Sequence, residues 1–399
     1  MSSVAEAAFP RERVKPNAKM LGLLAVGHLT VDSIQGAFPA ILPTLRDVHG
    51  LSYEAAGAII LISNLTSSVI QPAFGYLSDR SARRWLLPWA VFLAGVGFAL
   101  IGLAPSYWTV LALTVAAGVG IAAYHPEGYK TAASVAGDYK ATGLSWFSVG
   151  GNIGIALGPA LIALFLARYG AAGSLGMAVH PLLVAALLFA VQPYLARQAA
   201  ATKRAAAAGV APTLIGAMTL LVVVVMFRSW SQLGFTTYIP FYYRDVLGAD
   251  PRLTGPLLSV FLGAGAVGTL VGGVLADRIG ARRFMLGAFA LGTPLAVLFL
   301  LATRSMPIWV HFALLAGLGF VLVATFTTSV VLAQAYLPRH HGMASGLIVG
   351  LAIGAGGVGA WVLGMVADRF GLPSALWAAA LTPVLGLAAA CFLPEPKRG

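Results

Sequence analysis

Polar and apolar residues follow one another along this chain in long blocks, not in the short alternation of a protein that keeps one face in water. Counting apolar runs of helix-spanning length, separated by Pro, Gly or charge, gives twelve segments. The first six begin near Met20, Glu54, Trp85, Trp108, Ala141 and Ser174, and the second six near Thr213, Leu253, Phe284, Pro307, Gly342 and Pro373. A helix of about 20 apolar residues crosses the roughly 30 Å hydrocarbon core, so the pattern predicts an all-α integral membrane protein with twelve transmembrane helices. The longest polar interruption, Arg197 to Pro212, divides it. The expected organisation is a tail over 1–19, a six-helix half over 20–196, a linker over 197–212, a second half over 213–393 and a tail over 394–399.

Composition agrees with that reading, because 59% of the 399 residues are hydrophobic and only 10% charged, too few to cover an aqueous surface. The formal net charge is +12, which raises nucleic acid as a partner. Its distribution points elsewhere. With both termini on one side, the loops place seventeen basic residues on that side and six on the other. The positive-inside rule then predicts cytoplasmic termini in a multi-pass membrane protein, with lipid and not nucleic acid as the surrounding partner. Cys391 is the single cysteine, so no intramolecular disulfide or thiolate metal site can form.

The chemistry resides in ionisable residues inside the apolar runs. Each costs about 2.5–3.5 kcal/mol at the bilayer centre on insertion scales, so such residues normally face protein or a wet cavity. Tyr124-His125-Pro126-Glu127-Gly128-Tyr129-Lys130 is the densest group, and Pro126 removes a helical donor within it. His28 and Asp32 lie one turn apart on the first segment, and Arg228 lies near the middle of the seventh with Gln232 one turn beyond.

A repeat supports two halves. Gly75-x-Leu77-Ser78-Asp79-Arg80 recurs as Gly273-x-Leu275-Ala276-Asp277-Arg278, displaced by 198 residues, and the basic pairs Arg83-Arg84 and Arg282-Arg283 follow at nearly the same offset. These segments resemble the signature loop of the major facilitator superfamily. Within it, His28-Leu-Thr-Val-Asp32, His125-Pro126-Glu127 and Ala344-Ser345-Gly346-Leu347 look like the fosmidomycin-resistance efflux proteins. The resemblance implies a major facilitator fold with two pseudo-symmetric halves, a cavity lined by helices 1, 4, 7 and 10, and a monomer. It also implies proton-driven export of a phosphonate antibiotic. Asp79, Arg80 and Arg84, with Asp277, Arg278 and Arg282, then resemble a gate at the cytoplasmic loops.

From these residues the expectation is that Asp32 and Glu127 carry the coupling proton, with His28 and His125 as hydrogen-bond partners or relays. Arg228 and Gln232 are expected to hold the anionic head of a small-molecule substrate, with Tyr124, Trp230, Tyr238 and Lys130 as further contacts. Proton and substrate would compete, giving antiport. Several plainer readings stand beside this one. Glu127 and Lys130 form a structural pair on one helix face, Asp32 anchors helix 1, Arg228 pairs with an acid across the halves, and the aromatics only pack. Proton-coupled uptake of an organic anion is the neighbouring function. A metal held by His28, Asp32, His125 and Glu127 is the remote one.

Several motifs are excluded. Gly263-x-Gly265-x-x-Gly268 and Gly354-x-Gly356-x-x-Gly359 match a dinucleotide fingerprint but lie inside apolar runs, where they serve helix packing. The chain has no phosphate-cradling Gly-x-x-x-x-Gly-Lys loop, no His-Glu-x-x-His and no Gly-x-Ser-x-Gly. Neither a cofactor nor enzymatic chemistry is expected.

Overall fold

A computed structural model describes residues 15–71, 73–74, 85–137, 140–199, 214–303, 305–337, 344 and 347–395. Among these residues the chain forms α1 (Ala18–His49), α2 (Tyr53–Asn64), α3 (Leu86–Ala99), α4 (Tyr107–Val135), α5 (Lys140–Tyr169) and α6 (Val179–Ala199) in the first half. The second half holds α7 (Ile215–Phe241), α8 (Pro251–Ile279), α9 (Ala281–Leu301), α10 (Ile308–Tyr336), α11 (Ile353–Phe370) and α12 (Leu372–Ala390). Short π-helical turns extend α2 over Leu65–Val69 and α7 over Tyr242–Val246, and another leads into α11 over Leu347–Ala352.

Ten stretches of the described chain are long and apolar enough to cross a membrane. One of them, Trp146–Tyr194, is 49 residues long and contains both α5 and α6. The described part of α2 is 12 residues, too short to span alone. Helix starts follow local chemistry. The side chains of Asn17, Ser52 and Ser106 accept hydrogen bonds from the backbone N–H groups of Met20, Ala55 and Thr109 at the starts of α1, α2 and α4. Leu164, Leu183, Leu291 and Trp309 point outward and exposed, as an acyl-chain solvent requires.

One start differs from the sequence expectation and one is not covered by the described residues. The sixth helix begins at Val179 and not near Ser174, because Gly170–Ala178 winds as a 3-10 segment. The eleventh was expected near Gly342, which lies outside the described residues. Asp277 and Arg278 belong to the last turn of α8 and not to a loop. Gly280, at φ 97°, is the sole residue between α8 and α9, and that backbone conformation favours glycine. Asp79, Arg80 and Arg84 lie outside the described residues.

The halves repeat one packing plan. In the first, α1 packs on α5, α3 on α4 and α3 on α6; in the second, α7 packs on α11, α9 on α10 and α9 on α12. Between halves, α2 meets α11, α5 meets α8 and α1 meets α7. The α1–α5 seam depends on glycine. Gly150, Gly154 and Gly158 abut the carbonyls of Ala25, Leu29 and Ser33 so closely that any Cβ would collide with them. Gly154→Leu is expected to lower the melting temperature of the detergent-solubilised protein markedly, since overpacking costs typically 1–3 kcal/mol. An unchanged melting temperature would contradict the rigid seam.

Candidate functional site: a buried acid between two imidazoles and an unpaired guanidinium

The seam positions the first constellation. α1 carries His28 and Asp32 on one face, about 15–20 Å along the helix from its start, and both are buried. His125 approaches from α4. Its Nε2 lies 3.1 Å from Asp32 Oδ1, while His28 Nε2 lies 3.3 Å from Asp32 Oδ2. The far nitrogen of each ring meets a backbone carbonyl. His28 Nδ1 is 2.8 Å from the oxygen of Phe147, and His125 Nδ1 is 2.9 Å from that of Ile121. A carbonyl only accepts, so each Nδ1 carries the proton and each Nε2 faces the carboxylate.

α5 closes the remaining side. The Phe147 ring stacks on His28 at 4.2 Å between centroids, and a Cβ at Gly151 would sit 2.5 Å from both Asp32 Oδ2 and His28 Nε2. Phe147 and Gly151 are site residues that sequence reading missed, because neither carries an ionisable flag. One nitrogen from each imidazole and one carboxylate oxygen lie within 4.8 Å of one another. That donor set also suits a divalent ion. Glu127 is buried as well. It stands two residues from His125, some 200° around α4, and is not part of this group.

The second constellation is in the other half. Arg228 of α7 is almost fully buried. One Nη donates to Gln232 Oε1 at 2.9 Å and more distantly to the Leu322 carbonyl of α10, while the other reaches Ser229 Oγ at 3.3 Å. None of the ion pairs among the described residues involves it. Arg228 Nε and the indole Nε1 of Trp230 are buried with no hydrogen-bond acceptor among the described residues. A buried donor left unmade costs about 1–3 kcal/mol, and an uncompensated buried charge costs more. Such a group is poised for an anion that brings its own oxygens.

The halves are clasped at the face opposite the termini. Arg46 reaches Asp245 at 3.3 Å, and Arg244 reaches Asp47 at 2.7 Å. Asp245 also accepts from Arg244 Nε and from the Tyr53 hydroxyl, and the Arg46 guanidinium lies over the Tyr53 ring. Alongside, Asp368 at the end of α11 accepts the first two N–H groups of α2, from Tyr53 and Glu54. Trp361 of α11 donates to Glu54. Arg46-Asp47 and Arg244-Asp245 stand 198 residues apart, the offset of the signature repeat, and that signal could have found them.

Asp245→Asn is expected to weaken this closure by on the order of 1–2 kcal/mol, since partly exposed pairs are individually worth about 0.2–1 kcal/mol and two contacts to Asp245, from Arg46 and the Tyr53 hydroxyl, cross between the halves. Spin-label distances across this face should show the separated population rising about tenfold. An unchanged distance distribution would deny the clasp any part in closure.

A model of the Major Facilitator Superfamily matches residues 24–352 and 247–399. The chain belongs to this superfamily. As a major facilitator transporter it is a multi-pass membrane protein and not an enzyme. It is 31% identical over 399 residues to the fosmidomycin resistance protein of Escherichia coli, covering 99% of this chain and 97% of that protein. It is 33% identical to an uncharacterized MFS-type transporter, YfnC, of Bacillus subtilis, covering 95% and 93%. The fold is shared with a solved bacterial homolog of the human lysosomal transporter Spinster in an inward-facing and occupied conformation. There the TM-score is 0.73 at 16% identity, over 95% of this chain and 97% of that one.

Within this major facilitator fold the remaining candidates separate. Tyr124 donates to the Leu24 carbonyl and packs beneath Gly27, tying α4 to α1. Tyr238 donates to the Ala360 carbonyl of α11, in the closed region and about 15 Å along α7 from Arg228. Trp230 packs against Gly359 of α11, some 200° around α7 from Arg228. Lys130 is half-buried towards the end of α4. Arg282 donates to the Cys391 carbonyl within its own half. Arg278 is exposed, and the side chain of Asp277 lies outside the described set.

Proposed function

We propose that this transporter is a proton-coupled antiporter that exports a small organic anion, a phosphonate of the fosmidomycin class being the first candidate. It would work as a monomer in a bacterial inner membrane with both termini cytoplasmic. The observation that carries the reading is Arg228, a buried cation with an unmet donor and no carboxylate partner among the described residues, set in the half opposite a buried acid and two imidazoles. A guanidinium fork matches two oxygens of a phosphonate or carboxylate. The fosmidomycin resistance relative supports the substrate class.

Exchange follows if the halves reorient with the anion on Arg228 or with a proton on the Asp32 cluster, and not when both sites are empty. The clasp on the face away from the termini would then be the outer gate, broken for release. Asp79, Arg80 and Arg84 with Asp277, Arg278 and Arg282 would form the inner one.

Uptake of an anion together with the proton is the second reading. One observation favours it: two imidazoles flank a single acid, so a loaded cluster is positive, and positive charge attracts an anion. Fosmidomycin transport in proteoliposomes under an imposed pH gradient separates the two. Antiport predicts movement against the proton flux, and cotransport predicts movement with it. Transport indifferent to both gradient directions would remove proton coupling altogether.

A further inference from the structure

An acid between two imidazoles is a set of metal ligands as much as a set of hydrogen bonds, and three features of the His28–Asp32–His125 cluster favour the first use. One is direction. An imidazole that holds a metal presents one bare nitrogen and gives its other N–H to an acceptor such as a backbone carbonyl. Both rings are fixed in that way. The Phe147 carbonyl of α5 takes the Nδ1 proton of His28, and the Ile121 carbonyl, one turn back on α4, takes that of His125. Each Nε2 is left facing Asp32.

Another is spacing. Ligand atoms about 2.0–2.2 Å from a tetrahedral ion stand roughly 3.3–3.6 Å from one another. His125 Nε2 is 3.1 Å from one carboxylate oxygen and His28 Nε2 is 3.3 Å from the other, and three donor atoms of the cluster lie within 4.8 Å of one another. The two rings are 5.0 Å apart between centroids, at 81°. Two imidazoles bound through Nε2 to one such ion have roughly 5 Å between centroids, so small side-chain rotations complete the set.

The last is room. α5 passes the cluster with Gly151, and a Cβ there would lie 2.5 Å from Asp32 Oδ2 and His28 Nε2 and 2.6 Å from His28 Cε1. The glycine leaves that side open for an ion and its remaining ligand. Entry is from the His125 side, whose side chain is 16% exposed against 5% for His28 and 7% for Asp32. Elsewhere the wall is aromatic. Phe147 stacks on His28 at 4.2 Å and Tyr129 stands edge-on at 5.9 Å, a shell that limits solvent access to the ligands.

We propose that His28 Nε2, one oxygen of Asp32 and His125 Nε2 bind a single divalent transition ion of the zinc class, which ties α1 to α4 and keeps one coordination position for water. Two nitrogens and one oxygen suit zinc, cobalt or nickel, whereas magnesium and calcium take oxygen ligands. Glu127, grouped with these three in the sequence expectation, is not among the ligands. The assignment goes beyond the transport reading and needs neither proton coupling nor fosmidomycin.

Cobalt(II) titrated into the full-length, untagged protein in lipid nanodiscs tests it, because a four-coordinate cobalt ion absorbs visible light far more strongly than the hydrated ion. The expected result is one equivalent bound with the four-coordinate spectrum, displaced by zinc but not by excess magnesium, and a melting temperature that rises with the metal. His125→Ala should fold, since the hydrogen bonds of that ring among the described residues are to Asp32 and its own helix. It should lose both signals. Gly151→Ala keeps every ligand and meets only side-chain atoms, and its cobalt affinity should fall about 10–100-fold. Binding at other histidines, such as the adjacent His340-His341, would survive both substitutions. No four-coordinate spectrum in the wild-type chain, or wild-type affinity in either variant, would overturn the proposal.

Discussion

Arg228→Ala is expected to reduce fosmidomycin kcat/KM by about 100-fold or more in proteoliposomes. Removing one partner of a buried charged contact costs about 2–5 kcal/mol, and every 1.4 kcal/mol is a factor of ten. The folded half should survive, because among the described residues the guanidinium is held only by Gln232, Ser229 and a distant carbonyl. Removing a buried, unpaired charge even relieves a cost. Arg228→Lys keeps the charge and loses the planar fork, so a loss of about tenfold is expected, mostly in KM. A melting temperature at or above wild type together with lost transport would be the signature of a binding role. Full transport in Arg228→Ala would leave the anion without a site.

Asp32→Asn should uncouple the protein. One proton exchanged per cycle lets a gradient of one pH unit, worth about 1.4 kcal/mol, sustain roughly a tenfold accumulation ratio. The variant retains a shape that fits between the imidazoles but has no carboxylate to take up a proton. The accumulation ratio should fall to about one, while exchange of labelled for unlabelled fosmidomycin at equal pH persists. Accumulation near the wild-type ratio would move the coupling site elsewhere, with Glu127 the next acid to examine.

Much of this was legible in the sequence for a physical reason. An ionisable residue in an apolar run is conspicuous, so His28, Asp32, His125 and Arg228 stood out, and the structure brings the first three into contact. Helical spacing gave the Arg228–Gln232 pair. Tyr124 and Tyr238 stood out equally, yet their hydroxyls bond to backbone carbonyls across helix seams, and composition cannot distinguish that use from ligand contact.

Gly151 and Phe147 shape the cluster through absent volume and through a ring face, neither of which an isolated sequence marks. The start of the sixth helix was misplaced because Gly170–Ala178 is as apolar as the helix it precedes, and hydropathy does not see the tighter winding. Arg46 and Arg244 enter the sequence reading only through the count of basic loop residues, and Asp47 and Asp245 do not enter it. Their shared offset became meaningful once the crossed contacts were visible.

Those crossed contacts have the form of an isologous interface, in which Arg of one copy meets Asp of the other and the reverse also holds. Two identical six-helix halves with one Arg-Asp dipeptide each would make both bridges at once on pairing. The two halves differ in one contact, since the Tyr53 hydroxyl donates to Asp245 whereas Pro251 stands at the matching position of the second half. Each half still presents both a donor and an acceptor to the other, so two polypeptides severed between residues 199 and 214 would carry matching edges for reassembly.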